Sequence, residues 1–286
     1  MVNDVFNMFW HGRSISSLET TCMQSFVRHG HRLRVFTYDE HSLPEGVEHA
    51  DAREILPYER LFTFKNSPSA FTNIFRYALL FEQGGWWVDS DVLCRKTELP
   101  ACDYYWAEQQ PRVLNGAILK FPPSDPMCGR LLELAEEGSK RLTKWGQLGP
   151  DLLTKHLRDY RPIGLAGSTQ DAYPLHYLET HFFWLPEFAS VVQSRTRSST
   201  FLHFWHSIMT SMGIDVEEVP PRGSYLDALY DEYRTVPPRP SRGAAHRDTI
   251  IEYLQQDFVH HIWCNKLNRS MDELGIAEML ACKAAG

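Results

Sequence analysis

The clearest hydrophobic pattern in the chain runs from residue 70 to residue 91, where a helical repeat is followed by a short aromatic segment. Apolar side chains recur at spacings of three and four between Phe71 and Leu79, as on the buried face of an amphipathic helix. Gly84 and Gly85 follow, and glycine readily adopts the backbone conformation that ends a helix. The next three residues, Trp-Trp-Val, favour an extended strand. The pattern therefore predicts a helix, a glycine stop and a strand, in that order.

Two aspartates stand at the end of this predicted strand. Asp89 and Asp91 are separated by one residue, and the loop after a strand can direct both carboxylates to one point. Oxygen ligands grouped in this way suit Mg²⁺ or Mn²⁺ bound to a diphosphate. An Asp-x-Asp pair is common in solvated turns, so the order of features before it matters more. That order is a helix with Asn73 and Arg76 three residues apart on its surface, two glycines and an aromatic strand.

The N-terminal segment predicts a second feature of a ligand-binding α/β protein, a βαβ unit. Strands are expected over Asn7–Phe9 and Arg32–Tyr38, with an amphipathic helix over Ser17–His29 between them. The two strands of such a unit are parallel, so the loops at their carboxyl ends lie where ligands bind in α/β proteins.

Further elements follow along the chain. The pattern predicts strands over 104–108 and 117–121 flanking Asn115-Gly116, helices over 125–144 and 150–158, an irregular segment over 161–200, a late segment opened by 201–206, and a helix over 248–285. Residues 236–247 (VPPRPSRGAAHR) predict a linker without regular structure, because prolines interrupt them. We therefore expect a catalytic domain over 1–235, a linker over 236–247 and a helical tail over 248–286.

The helical tail carries an apolar stripe formed by Ile251, Leu254, Phe258 and Ile262, at spacings of three and four. A helix with such a stripe must bury it. Packing against the chain's own catalytic domain is the favoured arrangement, and a homo-oligomer formed through the tail ranks second. Contact with a membrane ranks lower, because acidic residues accompany the stripe.

Composition and charge narrow the possible functions. The 286 residues are 43% hydrophobic and 13% aromatic, enough to bury a sizeable core. A net charge of −7 argues against a nucleic-acid partner, since such surfaces need a basic excess. No apolar run approaches the roughly 20 residues that a transmembrane helix needs.

The cysteines and the N-terminus bear on location. Six dispersed cysteines without a Cys-x-x-Cys pair favour thiols in a reducing compartment over a disulfide framework. The first ten residues (MVNDVFNMFW) lack the basic start and apolar run of a signal peptide. A cytoplasmic protein is therefore expected, either free or peripheral to a membrane.

The segment from 70 to 91 resembles the DxD-motif GT-A glycosyltransferases of the sugar-binding-region family, which contains α-1,4-galactosyl- and N-acetylglucosaminyltransferases and yeast α-mannosyltransferases. Similar blocks occur in the catalytic domains of clostridial glucosylating toxins. The matching positions are Thr72, Asn73, Arg76, Gly84, Gly85, Trp87, Asp89 and Asp91. Asn73 departs from the family pattern, which usually has an aspartate there; its amide can still hydrogen-bond a sugar hydroxyl but brings no charge.

The resemblance covers about residues 5–215 and implies both fold and reaction. The implied fold is α/β, a GT-A-like nucleotide-sugar-binding fold with a mixed central sheet and helices on both faces, followed here by the helical tail. The implied reaction is retaining transfer of a hexose from a nucleotide sugar, with UDP favoured, to a hydroxyl of a glycan, lipid-linked sugar, protein or small molecule. Mn²⁺ or Mg²⁺ is the implied cofactor.

The resemblance also implies roles for individual residues. Trp10, followed by Gly12, matches a tryptophan that stacks on the nucleobase, although burial in the core is the ordinary role of an isolated tryptophan. Asp89 would contact ribose and metal, Asp91 the metal, and His203, with His206 ranked second, would complete the metal shell.

The full set of expected site residues follows from these roles. Catalytic roles fall to Asp89, Asp91, Arg76 and Asn115; contacts with the nucleotide sugar to Trp10, Gly12, Asn73, Arg76, Trp87, Asp89, Ser90 and Gly149; and metal ligation to Asp89, Asp91 and His203. Gly149-Pro150 resembles a turn whose backbone N–H groups face an anion, although an ordinary loop explains it equally well.

Other functions remain open or lose support at this point. The chain has no Gly-x-x-x-x-Gly-Lys loop, no Gly-x-Gly-x-x-Gly after a strand and no Gly-x-Ser-x-Gly elbow, so ATPase, dinucleotide-binding and α/β-hydrolase functions lose their main signals. Two alternatives stay: a nucleotide-sugar hydrolase or nucleotidyltransferase on a similar fold, and a non-catalytic binding module in which Asp89 and Asp91 are only solvated.

Overall fold

A computed structural model describes residues 5–12 and 14–254, and its centre is a mixed β-sheet. The strands are β1 (Val5–Phe9), β2 (Arg32–Thr37), β3 (Glu48–Asp51), β4 (Gly85–Val88), β5 (Val92–Cys94), β6 (Tyr104–Gln110), β7 (Val113–Phe121), β8 (Leu165–Ala166) and β9 (Phe201–His203). Seven of them form one sheet in the order β3-β2-β1-β4-β7-β6-β8, and β5 pairs with β9 beside it. The β3-β2-β1-β4 half is parallel, whereas β7 runs antiparallel to both β4 and β6.

Among the described residues, the first four helices lie close to the positions that the sequence pattern predicted. They are α1 (Ser17–Arg28), α2 (Ser69–Gln83), α3 (Pro126–Ser139), α4 (Pro150–Leu157), α5 (Thr169–Ala172), α6 (Ala189–Thr196), α7 (His206–Ser211), α8 (Tyr225–Tyr233) and α9 (Ala244–Leu254). Shorter 3₁₀ helices cover Ala52–Glu54, Tyr58–Arg60, Tyr177–Phe183 and Pro186–Phe188. None of these helices has the length and apolar character needed to cross a bilayer.

Alternating side chains of β1 place helices on both faces of the sheet. Phe6 packs on Phe26 of α1, with ring centroids 4.7 Å apart. Phe9 points to the opposite face and packs on Phe75 of α2 at 4.5 Å. This alternation is the ordinary geometry of a strand buried on both sides. The expected α/β class, with a mixed central sheet between two layers of helices, is confirmed.

The glycine stop after α2 has the conformation that the sequence required. Gly84 closes the helix with φ of +67°, in the region that favours glycine. A Cβ there would also lie 2.5 Å from the backbone nitrogen of Pro123. The stop turns the chain directly into β4 and so determines where Asp89 and Asp91 emerge.

Two sequence predictions about local structure are wrong. Asn115-Gly116 was expected between two strands, but both residues lie inside β7. The reversal from β6 to β7 occurs at Arg112, which has φ of +65°. The segment over 161–200 was expected to be irregular, yet it contains α5, α6 and 3₁₀ turns that bury aromatic side chains such as Trp184.

One cluster of buried hydrophobic side chains extends across the expected domain boundary at residue 235. Leu226 of α8 and Ile250 and Ile251 of α9 all belong to it, and all are fully buried. Helix α9 begins at Ala244, inside the segment expected to be an irregular linker. The described part of the tail therefore packs on the chain's own core. Leu254 ends that part, and the stripe residues Phe258 and Ile262 lie outside the described residues.

The proline- and arginine-rich segment before α9 is held to the protein by specific contacts. The Arg239 guanidinium donates to Asp215 at 2.8 Å, and its main-chain N–H donates to the Glu217 carbonyl at 3.0 Å. Arg242 forms an ion pair with Glu218 at 2.6 Å. The segment lacks regular structure, as predicted, but it is anchored at these points.

Candidate functional site

A cavity of about 590 Å³ opens at one edge of the central sheet. Residues directly after β1 and β4, two parallel neighbours, line it. Because β7 runs in the opposite direction to β4, the early residues of β7 reach the same edge. This is where ligands bind in open α/β sheets. The predicted site residues that line the cavity are Trp10, Asn73, Arg76, Asp89, Ser90, Asp91, Asn115 and His203.

The two aspartates and a histidine form a compact group on the cavity wall. Asp89, Asp91 and His203 each offer one ligand atom, and these atoms lie within 4.8 Å of one another. His203 reaches the aspartates because β9 pairs with β5, with Val92 opposite His203. Its Nε2 lies 3.1 Å from Oδ1 of Asp91. Residues 112 positions apart in the chain are thus joined by one short strand pair.

Asp89 is oriented by two donors from the predicted motif. Arg76 of α2 donates to its Oδ1 at 2.7 Å, and the indole N–H of Trp87 donates to the same oxygen at 2.8 Å. Both bonds leave Oδ2 of Asp89 for another partner. Arg76 is 5% exposed, so its charge is neutralised mainly by this carboxylate. The resemblance implied that Trp87 contacts the nucleotide sugar. Trp87 is instead fully buried and does not line the cavity, and its indole supports Asp89.

Asp91 is held ionised by its surroundings. Burial acts to raise the pKa of its carboxyl group, but the charge and hydrogen bond of His203 and the backbone N–H of His206 outweigh burial and hold the pKa well below the ordinary value. The N–H of His206 donates to Oδ2 at 2.8 Å. Asp91 therefore offers a carboxylate at any physiological pH.

The donor set fits a divalent cation. Two carboxylates with one imidazole match the ligands that Mn²⁺ accepts, and Mg²⁺ accepts the oxygens. The ring nitrogen Nδ1 of His203 is buried and has no hydrogen-bond partner within residues 5–12 and 14–254, whereas Nε2 is engaged with Asp91.

Trp10 and Gly12 lie just after the end of β1, at the cavity. Trp10 is partly exposed and lines the cavity, whereas Gly12 does not. Gly12 lies against the indole, because a Cβ added to it would lie 3.3 Å from the Trp10 ring. Gly12 thus supports the ring from the side, and Trp10 keeps part of its surface for a ligand.

The two asparagines among the expected site residues are fixed by hydrogen bonds. The Asn73 amide donates to the Ser69 carbonyl at 2.7 Å. Asn115 donates to Gln109, which also lines the cavity, and accepts from the Ala117 N–H, both at 2.6 Å. Ser90, between the two aspartates, lines the cavity. These groups offer neutral hydrogen-bonding atoms to a ligand.

Gly149 does not have the role suggested by its sequence context. Its N–H donates to the Gly146 carbonyl at 3.1 Å, so this N–H is already used and does not face an anion. Gly149 is needed for close packing instead: a Cβ there would lie 2.7 Å from Oδ1 of Asn73. The reason for glycine at this position is the approach of α4 to α2.

Sequence reasoning missed several residues of the cavity. Glu19 of α1 lines it and contacts His206, whose Nδ1 lies 2.5 Å from Oε1. Burial lowers the pKa of the His206 imidazole, but the Glu19 carboxylate raises it more, and the net shift is upward. Trp145, half exposed in the loop before α4, also lines the cavity. No spacing in the sequence connects these residues with the Asp-x-Asp motif.

Comparisons with known proteins add remote structural similarities. No protein-family model matches the chain, and no curated protein matches it. The PaToxG glycosyltransferase is 13% identical over 81% of this chain and 84% of that one, with a TM-score of 0.43. The glycosyltransferase GlyE of Streptococcus pneumoniae is 15% identical over 71% and 54% of the two chains, with a TM-score of 0.40.

A third solved structure, the galactosyltransferase LgtC in complex with donor and acceptor sugar analogues, is 10% identical over 70% of this chain and 86% of that one, with a TM-score of 0.38. All three of these proteins are glycosyltransferases. At these identities and scores they leave the family of this chain unassigned.

Proposed function

We propose that this chain is a metal-dependent glycosyltransferase that moves a hexose from a nucleotide sugar, with UDP as the favoured nucleotide, to a hydroxyl acceptor. The observation that carries the proposal is the group of Asp89, Asp91 and His203 on the wall of a 590 Å³ cavity. The cavity also holds a partly exposed tryptophan and several neutral amides, which suit a base and a sugar.

The proposed metal ligands are Asp89, Asp91 and His203. A bound Mn²⁺ or Mg²⁺ would neutralise the charge that develops on the departing nucleoside diphosphate. The protein's own contribution is to orient the two carboxylates. Arg76 and Trp87 do this for Asp89, and His203 with the His206 N–H does it for Asp91.

The remaining residues are proposed to bind and orient the donor. The exposed part of Trp10 would cover the nucleobase, since stacking requires only a flat face. Asn73 and Asn115 would hydrogen-bond sugar hydroxyls with their remaining donor and acceptor capacity. Such contacts would hold the anomeric carbon in a fixed position relative to the acceptor.

Retention of the anomeric configuration is proposed from the resemblance of the motif. The acceptor oxygen would bond to the anomeric carbon on the face from which the phosphate oxygen leaves. The carbon–phosphate oxygen bond breaks, and the acceptor proton passes to that oxygen. The acceptor is proposed to be a glycan, a lipid-linked sugar or a small molecule bearing a hydroxyl.

Product analysis with a panel of nucleotide sugars tests the function. We expect the protein with Mn²⁺ to release nucleoside diphosphate and, with a suitable acceptor among glycans and glycosides, to attach the sugar to it. Asp91→Asn should lower the rate by a factor of 100 or more, since several kcal/mol of transition-state stabilisation is lost. Asp159→Asn, at a side chain 86% exposed, is the matched control and should leave the rate unchanged.

Other products would identify one of the alternatives. Free sugar formed at the same rate with and without acceptors would indicate a hydrolase, and pyrophosphate exchange would indicate a nucleotidyltransferase. Donor binding without turnover would indicate a binding module. Asp91→Asn activity within tenfold of wild type, with unchanged metal dependence, would contradict the proposed role of the motif.

A further inference from the structure

Glu19 is an acidic residue placed where a charge is costly. It lies in the first turn of α1, and it is 2% exposed. Buried carboxylates persist where hydrogen bonds or opposite charges compensate for lost water. The contacts of its two carboxylate oxygens therefore indicate why the residue is there.

One oxygen of Glu19 has a local structural role. Oε2 accepts hydrogen bonds from the main-chain N–H and the hydroxyl of Ser16, and the Glu19 N–H donates back to the Ser16 hydroxyl at 3.3 Å. This reciprocal arrangement is a capping box, which satisfies the first N–H groups of a helix. It accounts for Oε2 alone.

The other oxygen contacts a residue far along the chain. Oε1 lies 2.5 Å from Nδ1 of His206, which is 187 positions away at the start of α7. Both residues line the cavity. The capping box fixes the carboxylate on α1, so the contact holds the imidazole in one orientation.

His206 in turn contacts the candidate metal site through its backbone. Trp205, just before it, has φ of +57°, and this turn directs the His206 N–H back toward Asp91. That N–H donates to Oδ2 of Asp91 at 2.8 Å. Among the described residues, the His206 N–H is the donor to Oδ2 of Asp91, whereas Nε2 of His203 contacts Oδ1.

We propose that Glu19 is a positioning residue of the metal site: it holds the His206 ring, and the His206 N–H then fixes the orientation of the Asp91 carboxylate. The inference rests on the proposed function for the presence of a divalent cation at Asp89, Asp91 and His203. It assigns a role in that site to a helix, α1, that contributes no metal ligand. Partners of this kind, one shell beyond the ligands, commonly change metal affinity by 10- to 100-fold.

Mn²⁺ binding measured by electron paramagnetic resonance tests the inference without an assay of activity. Four variants are needed: Glu19→Ala, His206→Ala, the double variant, and Ser16→Ala, which removes the cap hydroxyl but leaves both Glu19 and His206. We expect Glu19→Ala and His206→Ala each to weaken Mn²⁺ binding about tenfold or more. Ser16→Ala should lower thermal stability and leave Mn²⁺ affinity within twofold of wild type, because the main-chain N–H of residue 16 still donates to Oε2 of Glu19 and keeps the carboxylate in place.

The double variant separates positioning through His206 from an independent effect. If Glu19 acts through the ring, the double variant binds Mn²⁺ about as weakly as either single variant, because coupled residues are not additive. The inference is overturned if the double variant loses Mn²⁺ affinity by the product of the two single losses, or if either single variant binds Mn²⁺ as tightly as wild type. Should Glu19→Ala fail to fold, Glu19→Asp, whose shorter side chain cannot keep both the Ser16 and the His206 contacts, takes its place in the single and double variants with the same criterion. A wild-type protein that binds no Mn²⁺ would instead contradict the proposed function, and the inference with it.

Discussion

At the scale of single residues, Asp91 links the chemistry of the site to the stability of the protein. Both of its carboxylate oxygens accept hydrogen bonds, from His203 and from the His206 N–H. Burial opposes ionisation, but these partners outweigh it and lower the pKa of the carboxyl group. A lowered pKa in the folded state means that ionised Asp91 stabilises the fold.

The sign of this effect predicts a pH dependence for the metal-free protein. The stabilisation is fully present above the unfolded pKa of an aspartate, about 3.9, and is lost as pH falls below that value toward the folded pKa. The free energy of unfolding should therefore fall more steeply with decreasing pH in wild type than in Asp91→Asn. Urea unfolding of both proteins at several pH values between 6 and 3 measures the difference; a gap that stays constant over this range would show that Asp91 contributes no such stabilisation.

Trp10 allows a test of nucleotide recognition at one residue. Its partly exposed ring lines the cavity, and base–aromatic stacking contributes roughly 1–3 kcal/mol. Trp10→Ala should weaken binding of UDP with Mn²⁺ by that amount in calorimetric titration. Tyr58→Ala, which removes a 46% exposed aromatic ring outside the cavity, is the control. Unchanged affinity in a folded Trp10→Ala protein would mean that Trp10 serves packing alone.

Single residues also show what sequence can and cannot predict about the site. Asp89 and Asp91 were identifiable because the features that place them are adjacent in the chain. The contact of Glu19 with His206 depends on α1 and α7 meeting in three dimensions, and nothing local marks either residue for it. A capping role at the start of the helix explains an acidic residue in the first turn equally well.

At the scale of elements, the sequence predicted best where local chemistry decides the structure. The helical repeat and the glycine stop placed α2 and β4 within one or two residues, since both signals act over a few positions. The sequence predicted Asn115-Gly116 between two strands because Asn-Gly is a strong hairpin signal. Pairing of β7 with β4 and β6 overrides that local preference, and the tight turn falls at Arg112 instead.

The glycine stop yields a stability prediction with a matched control. Gly84→Ala would require a side chain at φ of +67° and would place Cβ 2.5 Å from the Pro123 nitrogen. Gly30→Ala has a similar φ, +81°, but its Cβ would meet nothing within 4 Å. The backbone cost of about 1–2 kcal/mol is common to both, so Gly84→Ala should be clearly more destabilising in urea unfolding. Equal losses in the two variants would show that the approach of Pro123 has no energetic consequence.

At the scale of the whole molecule, one cluster of buried side chains contains residues from both sides of the boundary that the sequence suggested at 235. Proline-rich composition predicted an irregular segment over 236–247, but α9 begins at Ala244 and only the residues before it lack a helix; composition also does not show whether such a segment is anchored. Here ion pairs from Arg239 and Arg242 anchor it, and α9 then buries Ile250 and Ile251. The described residues before 235 and the start of the tail are therefore expected to unfold together.

Substitution in α9 tests this joint unfolding. Ile251→Ala should lower the free energy of unfolding by about 2–5 kcal/mol, the usual cost of removing a buried aliphatic side chain, and the whole protein should still unfold in a single transition. Arg247→Ala, which removes an ion pair with Glu187 whose two side chains are 36% and 37% exposed, should cost less than about 1 kcal/mol. An early, separate transition in Ile251→Ala, with the remaining transition unchanged, would show that α9 is an independent unit.

The central claim is that Asp89, Asp91 and His203 together bind a divalent cation beside a nucleotide. The most direct measurement is a crystal structure of the wild-type protein with Mn²⁺ and UDP, using anomalous scattering at the manganese edge to locate the ion. We predict one strong anomalous peak within ligand distance of the two carboxylates and the imidazole, with the diphosphate against it and the uracil against Trp10. UDP bound in the cavity with no peak at these three residues, or a peak and nucleotide at another place on the protein, would contradict the account.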